Sequence, residues 1–148
     1  MPDSLFQIRP ASAADAGAVA GLAGELAQSF PFCRERFDLS YPALIAADDA
    51  RVLVAVSGGR VIGYLLGFAH GTFYANGPVG WVEELFVLSA YRTNGVGRTL
   101  MSAFEAWAAQ RGCTLVALAT RRAAPFYLAI GYEESATYLR KVLGNESA

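Results

Sequence analysis

The sequence predicts an α+β domain of three α/β/α layers, in which helices cover both faces of a mixed, largely antiparallel sheet. Three observations carry that expectation. Residues 51–56 and 61–69 are rich in β-branched and apolar side chains, and only Ser57-Gly58-Gly59-Arg60 joins them. So short a connection fits a hairpin and leaves no room for a crossover helix. A third such segment, residues 81–87, runs into a glycine-bearing loop and then a stretch of helical periodicity.

Taken in order, residues 6–9 fit a short strand. Ser12 stands three residues before Asp15, in a relative of the capping box, and Val19, Leu22 and Leu26 follow at helical spacing. This first helix is expected from residue 13 to about Gln28. Residues 29–49 are dense in aromatics (Phe30, Phe32, Phe37, Tyr41), while Pro31 and Pro42 are expected to interrupt any long helix. After the hairpin, a Gly/Asn/Pro turn at residues 76–80 leads into the strand at 81–87. A helix is expected over residues 95–110, with Leu100, Phe104 and either Trp107 or Ala108 facing inward, and Gly112 ending it. Residues 114–119 then read as a buried strand, 124–130 as a short helix closed by Gly131, and 135–142 as a final strand. No repeat, linker or low-complexity segment breaks this order, so residues 1–148 read as one domain.

Composition narrows the classes of function. Hydrophobic residues make up 54% of the chain, enough for a sizeable core and well above a disordered composition. A formal net charge of -1, from 12 Lys+Arg and 13 Asp+Glu, argues against a broad nucleic-acid footprint. Cys33, Cys113 and the single His70 fall short of a zinc set, and no metal is expected. With no signal-peptide pattern and no membrane-length apolar run, a cytoplasmic protein without a membrane partner is the default expectation. A homodimer is left open.

The chemistry concentrates in residues 91–98, YRTNGVGR, between the strand at 81–87 and the following helix. Glycines let backbone approach a ligand closely, and N–H groups at a helix start bind anions. Arg92 and Arg98 can add charge-assisted contacts. A Walker-type loop needs a Lys-Ser/Thr pair after its glycines, which is missing, and a dinucleotide fingerprint needs three spaced glycines near the first strand. A tight turn flanked by two solvated arginines is the structural alternative.

With Arg92, Gly95 and Gly97 at the fixed positions of a Gln/Arg-x-x-Gly-x-Gly/Ala loop, the sequence resembles the Gcn5-related N-acetyltransferase (GNAT) superfamily. The preceding VEELFV at residues 82–87 resembles that family's central strand. Phe126-Tyr127 and Gly131-Tyr132 resemble its second recurrent segment. Thr93, where many members have Gly, and Thr120, where an Asn often stands, depart from the pattern. The resemblance implies a GNAT-like acyl-CoA N-acyltransferase fold. It also implies direct transfer of an acetyl group from acetyl-CoA to a primary amine of a small molecule or peptide N-terminus. Leu85, Phe86 and Val87 would hold the pantetheine arm through backbone groups, and Arg92, Thr93, Asn94, Gly95, Val96, Gly97 and Arg98 would cradle the phosphates.

An amine of lysine-like pKa needs about 4.6 kcal/mol to reach its free-base form at pH 7, so a carboxylate base is expected. Glu83 and Glu84 are the candidates. They lie on opposite faces if strand alternation holds, and the resemblance favours Glu83. Tyr127 resembles the family tyrosine that protonates the departing thiolate, with an aromatic packing pair as its structural alternative. Arg121 and Arg122 form either a phosphate contact or an exposed basic corner. Phe30, Phe32, Phe37, Tyr41, Phe73 and Tyr74 are candidates for an acceptor wall. A non-catalytic acyl-CoA sensor of the same fold is the alternative function, and a nucleotide-phosphate binder a third.

Overall fold

A computed structural model describes residues 5–27 and 30–144. They fall into two compact units that divide after Leu118. The first holds all five strands, β1 (Gln7–Pro10), β2 (Ala50–Ser57), β3 (Arg60–His70), β4 (Val79–Val87) and β5 (Val116–Leu118), in the spatial order β1-β2-β3-β4-β5. The first four pair antiparallel, and β5 joins β4 in parallel. The expected strand at residues 114–119 is thus shorter at both ends. This mixed, largely antiparallel sheet carries helices on both faces, which is the expected fold class.

One face is covered by α1 (Ala16–Leu26) and α2 (Arg34–Ala46). Val19, Leu22 and Tyr41 pack there with Val52, Val54 and Tyr64 in one buried cluster. Residue 28, where the sequence placed the end of α1, lies outside the described residues, as does Ser29; α1 itself ends at Leu26. Contrary to expectation, Pro42 does not break α2 but sits inside it. The side chain is exposed, so the carbonyl that its missing N–H would have satisfied can face water. Arg34 donates to Asp38 one turn along at 2.8 Å, an additional local support.

The other face is covered by α3 (Val96–Gln110), whose inward stripe is Leu100, Phe104 and Ala108. Of the two residues the periodicity allowed, Ala108 is the buried one. Trp107 instead rests its ring on Phe104 and accepts the Arg111 guanidinium 5.1 Å from its centroid. The sheet under α3 presents Gly63, Gly67 and Gly80. A Cβ on Gly67 would lie 2.3 Å from the Phe104 ring, and one on Gly80 would lie 3.2 Å from Ala108 Cβ. The missing side chains therefore let α3 seat closely on β3 and β4.

The second unit contains α4 (Ala124–Ala129), with Pro125 in its first turn. The Ala123 N–H preceding it donates to Thr120 Oγ1 at 3.0 Å. The expected strand at 135–142 is not formed, and residues 132–143 adopt neither helix nor strand. Tyr138, Leu139 and Val142 of that segment are exposed, so it gathers none of the burial that fixes a strand's register.

Gly67→Ala is expected to lower unfolding stability by about 1–3 kcal/mol, because the fully buried Phe104 ring has nowhere to move. Urea unfolding checks this against Gly17→Ala, where nothing lies within 4 Å of the added carbon.

Candidate active site

Two different faces of β4 are decided by one residue. Opposite it, Leu66 pairs with Glu84 and Gly67 with Val82, so Glu83 is an extra residue in β4, a β-bulge. Cross-strand partners share a face. Gly67 and Val82 therefore look toward Phe104 of α3, together with Gly80. Tyr64, Leu66, Glu84 and Phe86 look the other way, toward α1 and α2. Val82 and Glu84 are two residues apart yet face opposite sides, because the bulge shifts the alternation by one.

The two glutamates consequently have different surroundings. Glu83 is exposed, and its Oε1 accepts from the Trp81 indole N–H at 3.1 Å. Glu84 is half-buried and lines a partly open cavity of about 460 Å³ between α1, α2 and the sheet. Its Oε1 accepts from the Tyr64 hydroxyl at 2.8 Å. Burial raises the Glu84 carboxyl above the ordinary glutamate range; the Tyr64 bond pulls it partly back, and the Glu83 charge raises it further. Burial, then the charge of Glu84, holds the Tyr64 phenol far above its usual range, so Tyr64 remains a donor. Tyr64 was not singled out from sequence. A lone polar tip within the apolar run VIGYLLGF was the available signal, since a buried tyrosine hydroxyl needs a partner.

Among the aromatic candidates, Phe30, Phe32, Phe37 and Tyr41 line the cavity, whereas Phe73 and Tyr74 are exposed and do not. Phe37 stacks on Tyr41 at 5.2 Å between centroids, with Phe32 tilted against Phe37 at 5.9 Å. Tyr41 donates to the Ser12 carbonyl at 2.8 Å. Ser12 is in turn tied to Asp15, which accepts its N–H at 2.8 Å. Arg9 completes the cluster with two bonds to the Asp15 carboxylate, at 2.8 and 3.0 Å. A chain of polar contacts from β1 through the start of α1 thus reaches a wall residue of the cavity.

Beyond the bulge, β4 loses its second neighbour. Strand β5 pairs only with Gly80, Trp81 and Val82, so Leu85, Phe86 and Val87 have no strand on that side among the described residues. Arg92 folds back there, donating through Nε to the Val87 carbonyl at 2.7 Å with its guanidinium 5.2 Å from the Phe86 ring centroid. In this position Arg92 anchors the loop to the strand end, while Arg98 is exposed.

The loop turns into α3 at Gly95, whose φ of 81° is left-handed and strained for any residue with a Cβ. Thr99 returns both its N–H and its hydroxyl to the Gly95 carbonyl, at 3.0 and 2.8 Å. The N–H groups of Thr93, Gly95, Val96, Gly97 and Arg98 donate to no described residue. That is the donor set a helix start offers an anion. Thr93 and Asn94 are exposed, and Val96 is buried as the first anchor of α3.

In the second unit, Tyr127 is half-buried between the rings of Phe126 and Tyr132, at 4.9 and 5.9 Å. Burial pushes its phenol up, and its hydroxyl has no partner among the described residues. The Tyr132 N–H closes the turn onto the Tyr127 carbonyl at 3.0 Å. Arg121 and Arg122 are exposed, and so is His70. Among the described residues, no three His, Cys, Asp or Glu side chains gather as a metal site. No described helix is long and apolar enough to cross a membrane.

The family model described as Acetyltransferase (GNAT) family matches residues 20–132. Over 137 residues the chain is 31% identical to the aminoglycoside N(6')-acetyltransferase type 1 of Stenotrophomonas maltophilia, covering 86% of each protein. An uncharacterised N-acetyltransferase of Bacillus subtilis is 28% identical over 147 residues, 93% of this chain and 97% of that one. Among solved structures, glucosamine-6-phosphate N-acetyltransferase from Arabidopsis thaliana has a TM-score of 0.82 at 21% identity, covering 94% of this chain and 99% of that one. An aminoglycoside N-acetyltransferase solved with CoA has a TM-score of 0.81 at 23% identity, covering 95% and 98%. The last two similarities bear on the fold.

The Asp15 carboxyl is lowered to about 2, first by the Arg9 bonds. Its contribution to stability is therefore present above the ordinary aspartate range and is lost as pH falls through about 2. Asp15→Asn is expected to cost about 1–2 kcal/mol at pH 7, discounted for the exposure of Arg9. Thermal melts should show the gap between the two proteins narrowing as pH falls from 5 toward 2.

Proposed function

The chain belongs to the acetyltransferase (GNAT) family and is an acetyl-CoA-dependent N-acetyltransferase acting on amines; from that premise we propose that Glu84 is the base of a direct transfer to a small-molecule primary amine. The observation that carries the reading is the Glu84 carboxylate set in the wall of an apolar cavity and held there by Tyr64. An incoming ammonium gives its proton to Glu84. The free amine nitrogen then attacks the thioester carbonyl; the C–N bond forms, the C–S bond breaks, and the second proton lost from nitrogen balances the one the thiolate takes up as coenzyme A leaves. A carboxyl raised above its usual range is a stronger base than an ordinary glutamate, which narrows the gap to the amine.

On the donor side, the reading places the coenzyme's phosphates on the open N–H groups of Thr93, Gly95, Val96, Gly97 and Arg98, with the Arg98 side chain and the loop residue Asn94 beside them. Arg92 is assigned the task of fixing the loop to Val87. The unpaired edge at Leu85, Phe86 and Val87 supplies backbone groups for the pantetheine arm and the thioester oxygen, as in an oxyanion hole. Tyr127 is assigned the proton donation to the departing thiolate, and a hydroxyl without a partner among the described residues supports that role. The family match spans residue 118, which supports reading residues 1–148 as one catalytic domain. Glu83, the carboxylate favoured by sequence, faces Trp81 and is assigned no proton transfer.

The test is coenzyme-A thiol release from acetyl-CoA over a panel of amines. Glu84→Gln is expected to lower kcat/KM by about 10²–10⁴-fold, whereas Glu83→Gln stays within about threefold of the parent. Because the folded-state carboxyl of Glu84 is raised, its contribution to stability is present below the ordinary glutamate range and lost as pH rises through the raised value. Glu84→Gln should therefore be no less stable at pH 7, which separates lost chemistry from lost fold. Equal losses in the two variants would reject the assignment.

A further inference from the structure

We infer that the acceptor is a monoamine carried on an apolar, ring-sized body, and that the same cavity rejects polycations. This rests on the reading of Glu84 as the base facing the acceptor. The lining is dominated by Val19, Leu26, Phe37, Tyr41, Leu44 and Leu66, and the stacked Phe37 and Tyr41 rings give one wall a flat aromatic surface. A cavity of about 460 Å³ falls within the range of small-molecule sites.

Charge decides the class of amine. Among the described residues, Glu84 is the one carboxylate in the lining and Arg36 the one permanent positive charge, so the two formal charges cancel. A buried ammonium needs a paired carboxylate. The first amine of a ligand meets Glu84; a second has no acid left and meets the Arg36 guanidinium, which has no ion-pair partner among the described residues. The acids nearby in sequence are elsewhere engaged or outside the lining. Asp38 is bonded to Arg34 at 2.8 Å, and Glu25 and Glu35 are exposed and do not line the cavity. Each apolar carbon of the acceptor that enters is removed from water against apolar wall, worth about fourfold in binding per methylene. The Stenotrophomonas maltophilia relative is an aminoglycoside N(6')-acetyltransferase, so the inference separates this chain from that relative at the acceptor.

The experiment measures kcat/KM by thiol release for five acceptors: 2-phenylethylamine, propylamine and hexylamine as an alkyl series, 1,6-diaminohexane, and an aminoglycoside. Expected is a rise from propylamine to hexylamine of at least tenfold, and a preference for hexylamine over the equally long diamine of at least tenfold. Phenylethylamine should match or exceed hexylamine, and the aminoglycoside should be the poorest. Arg36→Glu, a change at an exposed position, should raise the diamine relative to hexylamine by at least fivefold. Thiol release that favours the diamine or the aminoglycoside overturns the inference while leaving the acetyltransfer reading intact. An Arg36→Glu variant with unchanged selectivity overturns it as well. Release with none of these amines, in protein that binds acetyl-CoA, overturns the reading of the cavity as an acceptor site and the inference with it.

Discussion

One extra residue in β4 sets the chemistry of this protein. Without Glu83 as a bulge, strict alternation along the strand would aim Glu84 at Phe104 and the packed face under α3. With it, the strand keeps Val82 and Gly80 in that core and still turns Glu84 toward α1 and α2. The same strand then loses β5 as a neighbour beyond Val82. A carboxylate facing a cavity and an unpaired backbone edge are thus placed within a few residues of each other. Either feature alone would be an irregularity; together they put on one strand the carboxylate and the backbone edge that the proposed transfer uses.

The cavity end is braced by polar contacts in addition to the buried cluster of Val19, Leu22 and Tyr41. Arg9, Asp15 and Ser12 link β1 to the start of α1, and Tyr41 ties α2 to the same point. This matters because α2 contributes few fully buried residues of its own, Tyr41 being the one. Beside α2, which packs Tyr41, Phe37, Leu44 and Ile45 toward the sheet, the cavity is left open. On the opposite face, where close packing is required, glycines in β3 and β4 let α3 approach the sheet. The protein therefore fills one side of its sheet and leaves space on the other.

Much of this was legible in the sequence where the signal is local. The hairpin around residues 57–60, the inward stripe of α3 and the loop from Arg92 to Gly97 each depend on neighbours within a few residues. Pro42 misled because a proline on an exposed face can leave its unmatched carbonyl to solvent. The segment 135–142 misled because pairing is non-local: Tyr138, Leu139 and Val142 stay exposed, and no strand among the described residues pairs with it. Which of Glu83 and Glu84 faces the cavity depends on something non-local. A bulge is a property of register between β3 and β4, and nothing within VEEL announces it. Tyr64 was missed on the same ground, since its partner lies 20 residues away across the strand pair.

The account turns on Glu84 being the buried carboxylate that Tyr64 bonds. A carboxyl ¹³C titration of the labelled protein, repeated in Tyr64→Phe, measures this directly. The predicted result is a Glu84 midpoint above the ordinary glutamate range that moves higher still when the Tyr64 hydroxyl is removed, because that bond stabilises the carboxylate. A Glu84 midpoint in the ordinary range, indifferent to Tyr64→Phe, would contradict the bulge's role in turning it into the cavity.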